Sequence, residues 1–353
     1  MKKQTLAFML AGAATVAASA HAQTTVQVYG SIDAGLRYQT NVNAAGDGLL
    51  SVGTGNYYSN RLGFKGSEDL GGGLKARFTL ESGFNSKTGA LDNTNGVLFN
   101  RTASVGMGGA WGFVDIGRQY TIAFRTEKFL DPFDHHYTGI VPLSSGAGTT
   151  LPAAATAAGL GASSSSGTRF NNSLQYSKTS GPLKISAEYS FGEIAGDAGK
   201  GSAQGAGFMF DKGPILLAAT YTQKETAAGF DNKAFVAGGG VKAGKATFKV
   251  AHSREVQETA TSAEYRNETT WAGVSVDVAP AVELALAGYR SQYTGPGGSG
   301  GRRDLLILGA SYAFSKRTNL YAEADLNRYR NALIPASRQT QQRAASFGIN
   351  HLF

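Results

Sequence analysis

The sequence predicts an all-β fold, a transmembrane antiparallel β-barrel of about sixteen strands with a long third loop folded into the lumen. Three observations carry this expectation. Apolar and polar residues alternate with period two along most of the chain, short turn-like links take turns with long polar segments, and the chain ends on an alternating stretch closed by an aromatic residue.

The N-terminus is read separately. Lys2 and Lys3 precede an apolar and small-residue run from Leu6 to Ala18, and Ala20-His21-Ala22 has the small-x-small pattern of a signal-peptidase site. Residues 1–22 are therefore expected to be a secretory signal cleaved between Ala22 and Gln23, with 23–353 the barrel domain. The run is too short for a spanning helix of about 20 residues, and no later apolar stretch approaches that length.

Composition agrees with a barrel. The chain has 48 Gly, 19 Phe and 15 Tyr but only 8 Pro, which suits many strands joined by flexible turns. It has no Cys, so a secreted form would depend on burial and backbone pairing rather than disulfides. Of the formal charge of +8, two units sit on Lys2 and Lys3. The remaining basic residues are scattered singly, without the run or basic helix of a nucleic-acid binder, so no nucleic-acid partner is expected.

Alternation is clear at several places. Leu320, Ala322, Ala324 and Leu326 oppose Tyr321, Glu323 and Asp325; Leu62 and Phe64 oppose Arg61 and Lys65. Leu74, Ala76, Phe78 and Leu80 oppose Lys75, Arg77, Thr79 and Glu81, and Phe170, Leu174 and Tyr176 oppose Arg169, Asn171, Ser173 and Gln175. Period two gives a strand with two unlike faces. A soluble sandwich alternates as well, so connection lengths decide. Short links fall at 69–72, 107–110, 179–182, 211–214, 242–245, 279–280 and 315–317. Longer polar segments lie between them, at 41–57, 86–95, 121–168, 193–202, 225–232, 255–264, 294–303 and 331–340. Short turns at one end and long loops at the other are the layout of an outer-membrane barrel. Closure also satisfies every backbone donor and acceptor in a solvent that cannot. The terminal Phe347-Gly348-Ile349-Asn350-His351-Leu352-Phe353 reads as the last strand, with Phe353 in an interfacial girdle.

The stretch from Arg61 to Ala76, RLGFKGSEDLGGGLKA, resembles the second-hairpin signature of the general porins of β-proteobacterial outer membranes. The segments VQVYGSIDAGL, GRQY, RFNNSLQY and the ending FGINHLF are similar to the same family. The resemblance covers essentially the whole chain after the signal. It implies a sixteen-stranded barrel, a homotrimer, and a pore narrowed by an inward-folded third loop. It further implies passive diffusion of small hydrophilic solutes and anions across the outer membrane, and contact with outer-membrane lipid and lipopolysaccharide. Phe353 would be the terminal signal read by the barrel assembly machinery. No enzyme activity and no cofactor are expected.

Residues 121–168 form the longest connection, and a structureless loop of this length inside a compact fold points to a functional role. Its first half carries Arg125, Glu127, Lys128, Asp131, Asp134, His135 and His136; its second half, 144–167, is mostly Ala, Gly, Ser and Thr. The charged half is expected at the constriction, with Glu127, Asp131 and Asp134 facing wall arginines. The family's arginine cluster maps onto Arg61, Arg101 and Arg169. Alternation by itself sends Arg61 and Arg169 inward. Arg101 shares parity with Val105 and Met107, so it needs a bulge or a loop-side position, and Arg118 has the same difficulty. Arg77 and Lys75 are expected to line the half nearer the short turns. An excess of arginine over acid in a narrow passage with low-dielectric walls would enrich anions weakly.

Other readings are weaker. Adjacent His135 and His136 lack metal-motif spacing, Gly196 to Gly201 lacks the Ser or Thr and the helix of a phosphate loop, and the serines at 163–166 form no nucleophile elbow. A substrate-selective channel for phosphate, carboxylates or sugars is the alternative, with a surface adhesin further behind.

Overall fold

The computed structural model describes residues 25–93, 95–137, 151–160, 167–261 and 263–353. The expected cleavage site at Ala22 and Gln23 lies outside them, as does most of the small-residue half of the third loop.

The strands run in sequence order: β1 (Thr25–Gln39), β2 (Leu49–Thr54), β3 (Arg61–Gly71), β4 (Leu74–Gly83), β5 (Thr102–Gly109), β6 (Gly112–Tyr120), β7 (Arg169–Ser180), β8 (Leu183–Ser190) and β9 (Ala203–Lys212). They continue as β10 (Ile215–Glu225), β11 (Asp231–Ala243), β12 (Ala246–Glu258), β13 (Glu264–Ala279), β14 (Val282–Thr294), β15 (Gly300–Ala313), β16 (Thr318–Asn331) and β17 (Gln341–Leu352). Helix α1 (Ile122–Leu130) and a short α2 (Ala153–Ala158) lie between β6 and β7. Each strand pairs antiparallel with its neighbours, and β1 closes on β17 with Ser31 opposite Leu352 and Gln39 opposite Ala344. The barrel is thus a closed, sixteen-position antiparallel sheet.

Seventeen strands fill sixteen positions because one position is broken. β1 pairs with β3 through Thr25–Ser31 and with β2 through Ala34–Gln39, so β2 and β3 are two pieces of one barrel strand. The interruption at residues 55–60 is held by a buried carboxylate. Asp33 accepts from the backbone N–H of Asn56 (2.8 Å) and Tyr58 (3.4 Å) and from the Tyr321 hydroxyl (3.1 Å). The polar stretch 41–57 was expected to be one loop; the apolar Leu49, Leu50 and Val52 pull its second half back into the sheet.

Two faces emerge along the strands. Val26, Val28, Ile32, Leu36, Leu62, Phe64, Val105, Leu217, Phe248, Leu286, Leu308, Phe347 and Ile349 are exposed and share one face. The opposite face carries Ser31, Asp33, Arg37, Glu81, Asp115, Gln175, Glu188, Glu323, Asp325 and Asn350, all buried. Arg37 exemplifies how charge is accommodated there, bridging Glu323 (3.3 Å) and Asp325 (2.7 Å).

The short links fall where expected, but two long segments are shorter. β12 continues to Glu258 and β13 starts at Glu264, while β15 starts at Gly300. The charged residues in 255–264 and 294–303 looked loop-like, yet the hydrogen-bond ladder runs on past the end of the apolar band, where polar side chains on the apolar face are tolerated by water.

Candidate functional site

The third loop opens with a helix, α1, over Ile122–Leu130, where the sequence predicts only a loop. Thr121 caps α1, its hydroxyl oxygen accepting from the Phe124 N–H (3.1 Å). The Glu188 carboxylate accepts from the Ile122 N–H (3.2 Å), placing an anion at the positive end of the helix. At the other end Asp131 accepts from the His135 N–H (2.7 Å), which fixes a tight turn with Asp134, His135 and Tyr137 at positive φ.

One flank of α1 is glued to the polar face of β8–β12. Thr126 and Thr220 hydroxyls are hydrogen bonded, the Trp271 indole N–H donates to Leu130 O (3.1 Å), and the Tyr289 hydroxyl donates to Asp131 (2.6 Å). Leu130 and Phe133 join Trp271, Ala251, Ala287 and Tyr289 in an apolar cluster. The other flank presents Phe124, Arg125 and Lys128 to a cavity of about 410 Å³. That cavity is also lined by Arg61, Arg101, Arg169, Asp92, Tyr58, Tyr120 and His135.

Tyr120 organises the arginines. Its hydroxyl donates to Glu81 (3.1 Å) and accepts from Arg169 (2.9 Å) and Arg101 (3.3 Å), and its ring lies 4.3 Å from the Arg169 guanidinium carbon. Arg61 sits 4.5 Å from the Tyr58 ring centre and 3.7 Å from Glu81, and Arg101 pairs with Asp92 at 2.6 Å. Among the described residues no carboxylate lies within ion-pair distance of Arg125, Lys128 or Arg169. Five cations therefore share the cavity with Asp92 and, behind Arg61, Glu81.

Of the sequence-derived candidates, Arg61, Arg101 and Arg169 come together here and the rest do not. Arg101 stands just before β5, the loop-side position its parity demanded. Arg169 arrives by a route other than the one expected. A bulge opposite Gly117, with Asn172 at φ 51°, breaks the alternation, so Phe170 turns to the buried face with Ser173. Arg118 is held away from the cavity by Asn100 O (2.7 Å) and by Asn171. Arg77 is committed to a bidentate pair with Asp115, and Lys75 is exposed beside the Gly71–Gly73 turn.

The expected row of loop acids requires correction. Glu127 and Asp131 are buried against the wall, on the flank of α1 opposite to Arg125 and Lys128, and Asp134 pairs with Lys249 (3.0 Å) beside a second cavity. In a helix of period near 3.6, residues one or two apart point to different sides, so with Arg125 and Lys128 turned to the cavity Glu127 is turned to the wall. Arg125 and Lys128 at spacing three were the available signal; the helix itself had to be recognised first. Tyr120 stands in the GRQY segment, where attention fell on Arg118 instead, and Tyr58 and Glu81 carried no motif of their own.

Burial, then Glu255 and Asp131, push the Glu127 carboxyl up from 4.5 to about 8, and one of its oxygens has no partner among the described residues. Because the folded value lies above the unfolded one, the attachment it supports is complete below pH 4.5 and weakens as pH rises to about 8. Glu127→Gln keeps a neutral side chain and is expected to flatten this slope, read as thermal unfolding across that pH range. His135 and His136 act in reverse. Burial first and Lys128 next lower them to about 3 and 4, so their contribution is complete above pH 6.5 and lost as pH falls.

Comparison with known proteins fits this architecture. Residues 7–332 match the family model described as Gram-negative porin. The Outer membrane porin protein 32 of Delftia acidovorans is 33% identical over 233 residues, which span 65% of this chain and 62% of that protein, under two thirds of its length. Among solved structures, the anion-selective porin from Comamonas acidovorans superposes with a TM-score of 0.76 at 24% identity, covering 94% of this chain and 100% of that one. The trimer form of OmpT, an outer membrane protein of Vibrio cholerae, gives 0.70 at 14% identity, covering 94% and 99%. A sixteen-position barrel with an apolar outside face, matched by a family model across nearly its whole length, leaves one assignment: this chain belongs to the Gram-negative porin family.

Proposed function

We propose that the chain is an outer-membrane porin, a homotrimeric channel for passive diffusion of small hydrophilic solutes and ions with a modest preference for anions. In this reading residues 1–22 are the export signal, cleaved between Ala22 and Gln23. The polar face lines a water-filled lumen, and residues 121–168 fold into it. The apolar face meets outer-membrane lipid and lipopolysaccharide, and Phe353 ends the strand that the barrel assembly machinery reads.

The observation that carries the preference is the imbalance of sign at one cavity. Arg61, Arg101 and Arg169 from the wall and Arg125 and Lys128 from α1 are opposed by Asp92 and Glu81, each already engaged with an arginine. Guanidinium groups stay charged at any physiological pH. In a narrow aqueous passage with low-dielectric walls their field raises anion concentration and lowers that of cations. The stacking of Arg61 on Tyr58 and of Arg169 on Tyr120 fixes two of the charges without neutralising them. Solutes would pass without tight binding, since conduction needs release as much as entry.

Single-channel recording in a salt gradient tests the reading. The wild type is expected to show a reversal potential of anion-selective sign, and Arg61→Glu with Arg169→Glu is expected to move it through zero toward cations. An unchanged ion preference in the double variant would remove these arginines from the selectivity step.

A further inference from the structure

We propose that the apolar face of β14–β17 ends, on the loop side, in a binding patch for phosphate-bearing lipid head groups, formed by Arg290, Arg302, Arg328, Arg330 and Arg343. The proposal rests on the barrel standing in a bilayer, as read above, and adds a defined lipid site on its outside.

The strand register places the patch. Across β15 and β16 the apolar-face pairs run Leu308–Ala324, Leu306–Leu326, Asp304–Arg328 and Arg302–Arg330 toward the loops. Arg290 of β14 lies opposite Asp304, and Arg343 of β17 opposite Leu326. Four neighbouring strands therefore pass from apolar residues to arginine within a step or two of one another along the register, just beyond the apolar band: Arg343 beside Leu326, Arg290 and Arg328 beside Asp304, and Arg302 beside Arg330. In a bilayer that is the level of the head groups, where cationic side chains meet anionic lipid.

The charges do not balance within the protein. Asp304 is the one carboxylate among these residues, and it already receives Arg290 (2.6 Å) and Arg302 (2.8 Å). Arg328, Arg330 and Arg343 are exposed, and none has a carboxylate within ion-pair distance among the described residues. Arg302 faces Arg330 directly across the strand pair, a like-charge contact that destabilises a sheet, and Asp304, already shared between Arg290 and Arg302, makes no ion pair with Arg330. On the next strands the same level is balanced, Arg254 with Glu268 (3.3 Å) and Arg266 with Glu264 (3.5 Å). At the loop end of β1 and β2 the same face carries Tyr38, Leu50 and Val52 instead. The excess is thus local, on one side of the barrel.

Phosphate is the anion that fits. Planar guanidinium forks bind phosphate oxygens in pairs, and several forks at one level suit a head group with more than one phosphate.

The test uses the full mature protein in non-ionic detergent, with retention of bis-phosphorylated lipid A compared with its dephosphorylated form. The wild type is expected to favour the phosphorylated lipid by roughly tenfold or more, and Arg328→Gln with Arg330→Gln and Arg343→Gln to lose that preference. Arg330→Gln alone relieves the like-charge pair with Arg302, so it is expected to raise thermal stability without lipid and to lower it with phosphorylated lipid. Equal retention of both lipids by the wild type overturns the proposal. So does an unchanged preference in the triple variant, including a variant that falls apart into protomers while its preference persists, which would make the patch a subunit contact. Conductance in phosphatidylcholine bilayers is recorded for both proteins; its absence counts against the channel reading and leaves the lipid comparison to decide the patch.

Discussion

Trp271→Ala is expected to release residues 122–137 from the barrel wall at a cost of about 3–5 kcal/mol, the range for emptying a large aromatic site. Trp271 is among the largest fully buried side chains, packed with Leu130 and Phe133 from the loop and Ala251, Ala287 and Tyr289 from the wall. Its indole N–H also satisfies Leu130 O at the end of α1. Truncation removes both the ring and the donor at the point where helix and wall meet. On the channel function proposed above, single-channel conductance should rise and become noisy, because a loosely held α1 would no longer set one aperture. Trp271→Phe retains most of the packing and loses the hydrogen bond, so it should cost only about 1 kcal/mol and leave conductance near wild type. Equal conductance of the alanine variant and wild type would show that the loop does not depend on this anchor.

Asp33→Ala should destabilise the wall at the strand break by about 3 kcal/mol or more, since each buried group left without a partner costs about 1–3 kcal/mol. The Asp33 carboxylate receives the Asn56 and Tyr58 N–H groups and the Tyr321 hydroxyl, and its own N–H donates to Asn60 (2.5 Å). These bonds stitch the break between β2 and β3 to β1. The break in turn holds the loop, because Tyr57 O accepts from the Tyr137 N–H (3.0 Å) and the Tyr57 ring stacks on Tyr321 with centres 5.2 Å apart. The temperature at which the folded, detergent-resistant form is lost should fall for Asp33→Ala and less for Asp33→Asn, which keeps an acceptor. Matching temperatures for wild type and Asp33→Ala would show that the break is held by packing alone.

The wall was readable from the chain and the loop was not. Leu62 against Arg61, or Leu326 against Asp325, report their faces directly, because a pleated strand sends successive side chains to opposite sides. The same rule misled where the backbone departs from the pleat. At Asn172 one extra residue reverses the faces, so Phe170 is buried and the parity argument for Arg169 fails although the residue reaches the cluster. Charge was also a poor guide to loops, since Glu255 to Glu258 and Gly300 to Arg303 remain in strands. Counting acids along residues 121–137 said nothing about direction: Glu127 and Asp131 turned to the wall, Arg125 and Lys128 to the cavity.

By itself the sequence determined the succession of strands, the two faces of each, the turn end and the loop end, and a closed sheet as the only way to pair every backbone group in lipid. The tertiary structure alone decided which flank of α1 meets the wall and hence the sign of the charges at the cavity. The physical reason is range. Alternation is set by the local geometry of each peptide, whereas the facing of α1 is set by Trp271 and Tyr289, which reach Leu130 and Asp131 across 141 and 158 residues of chain and meet them only once the barrel has closed.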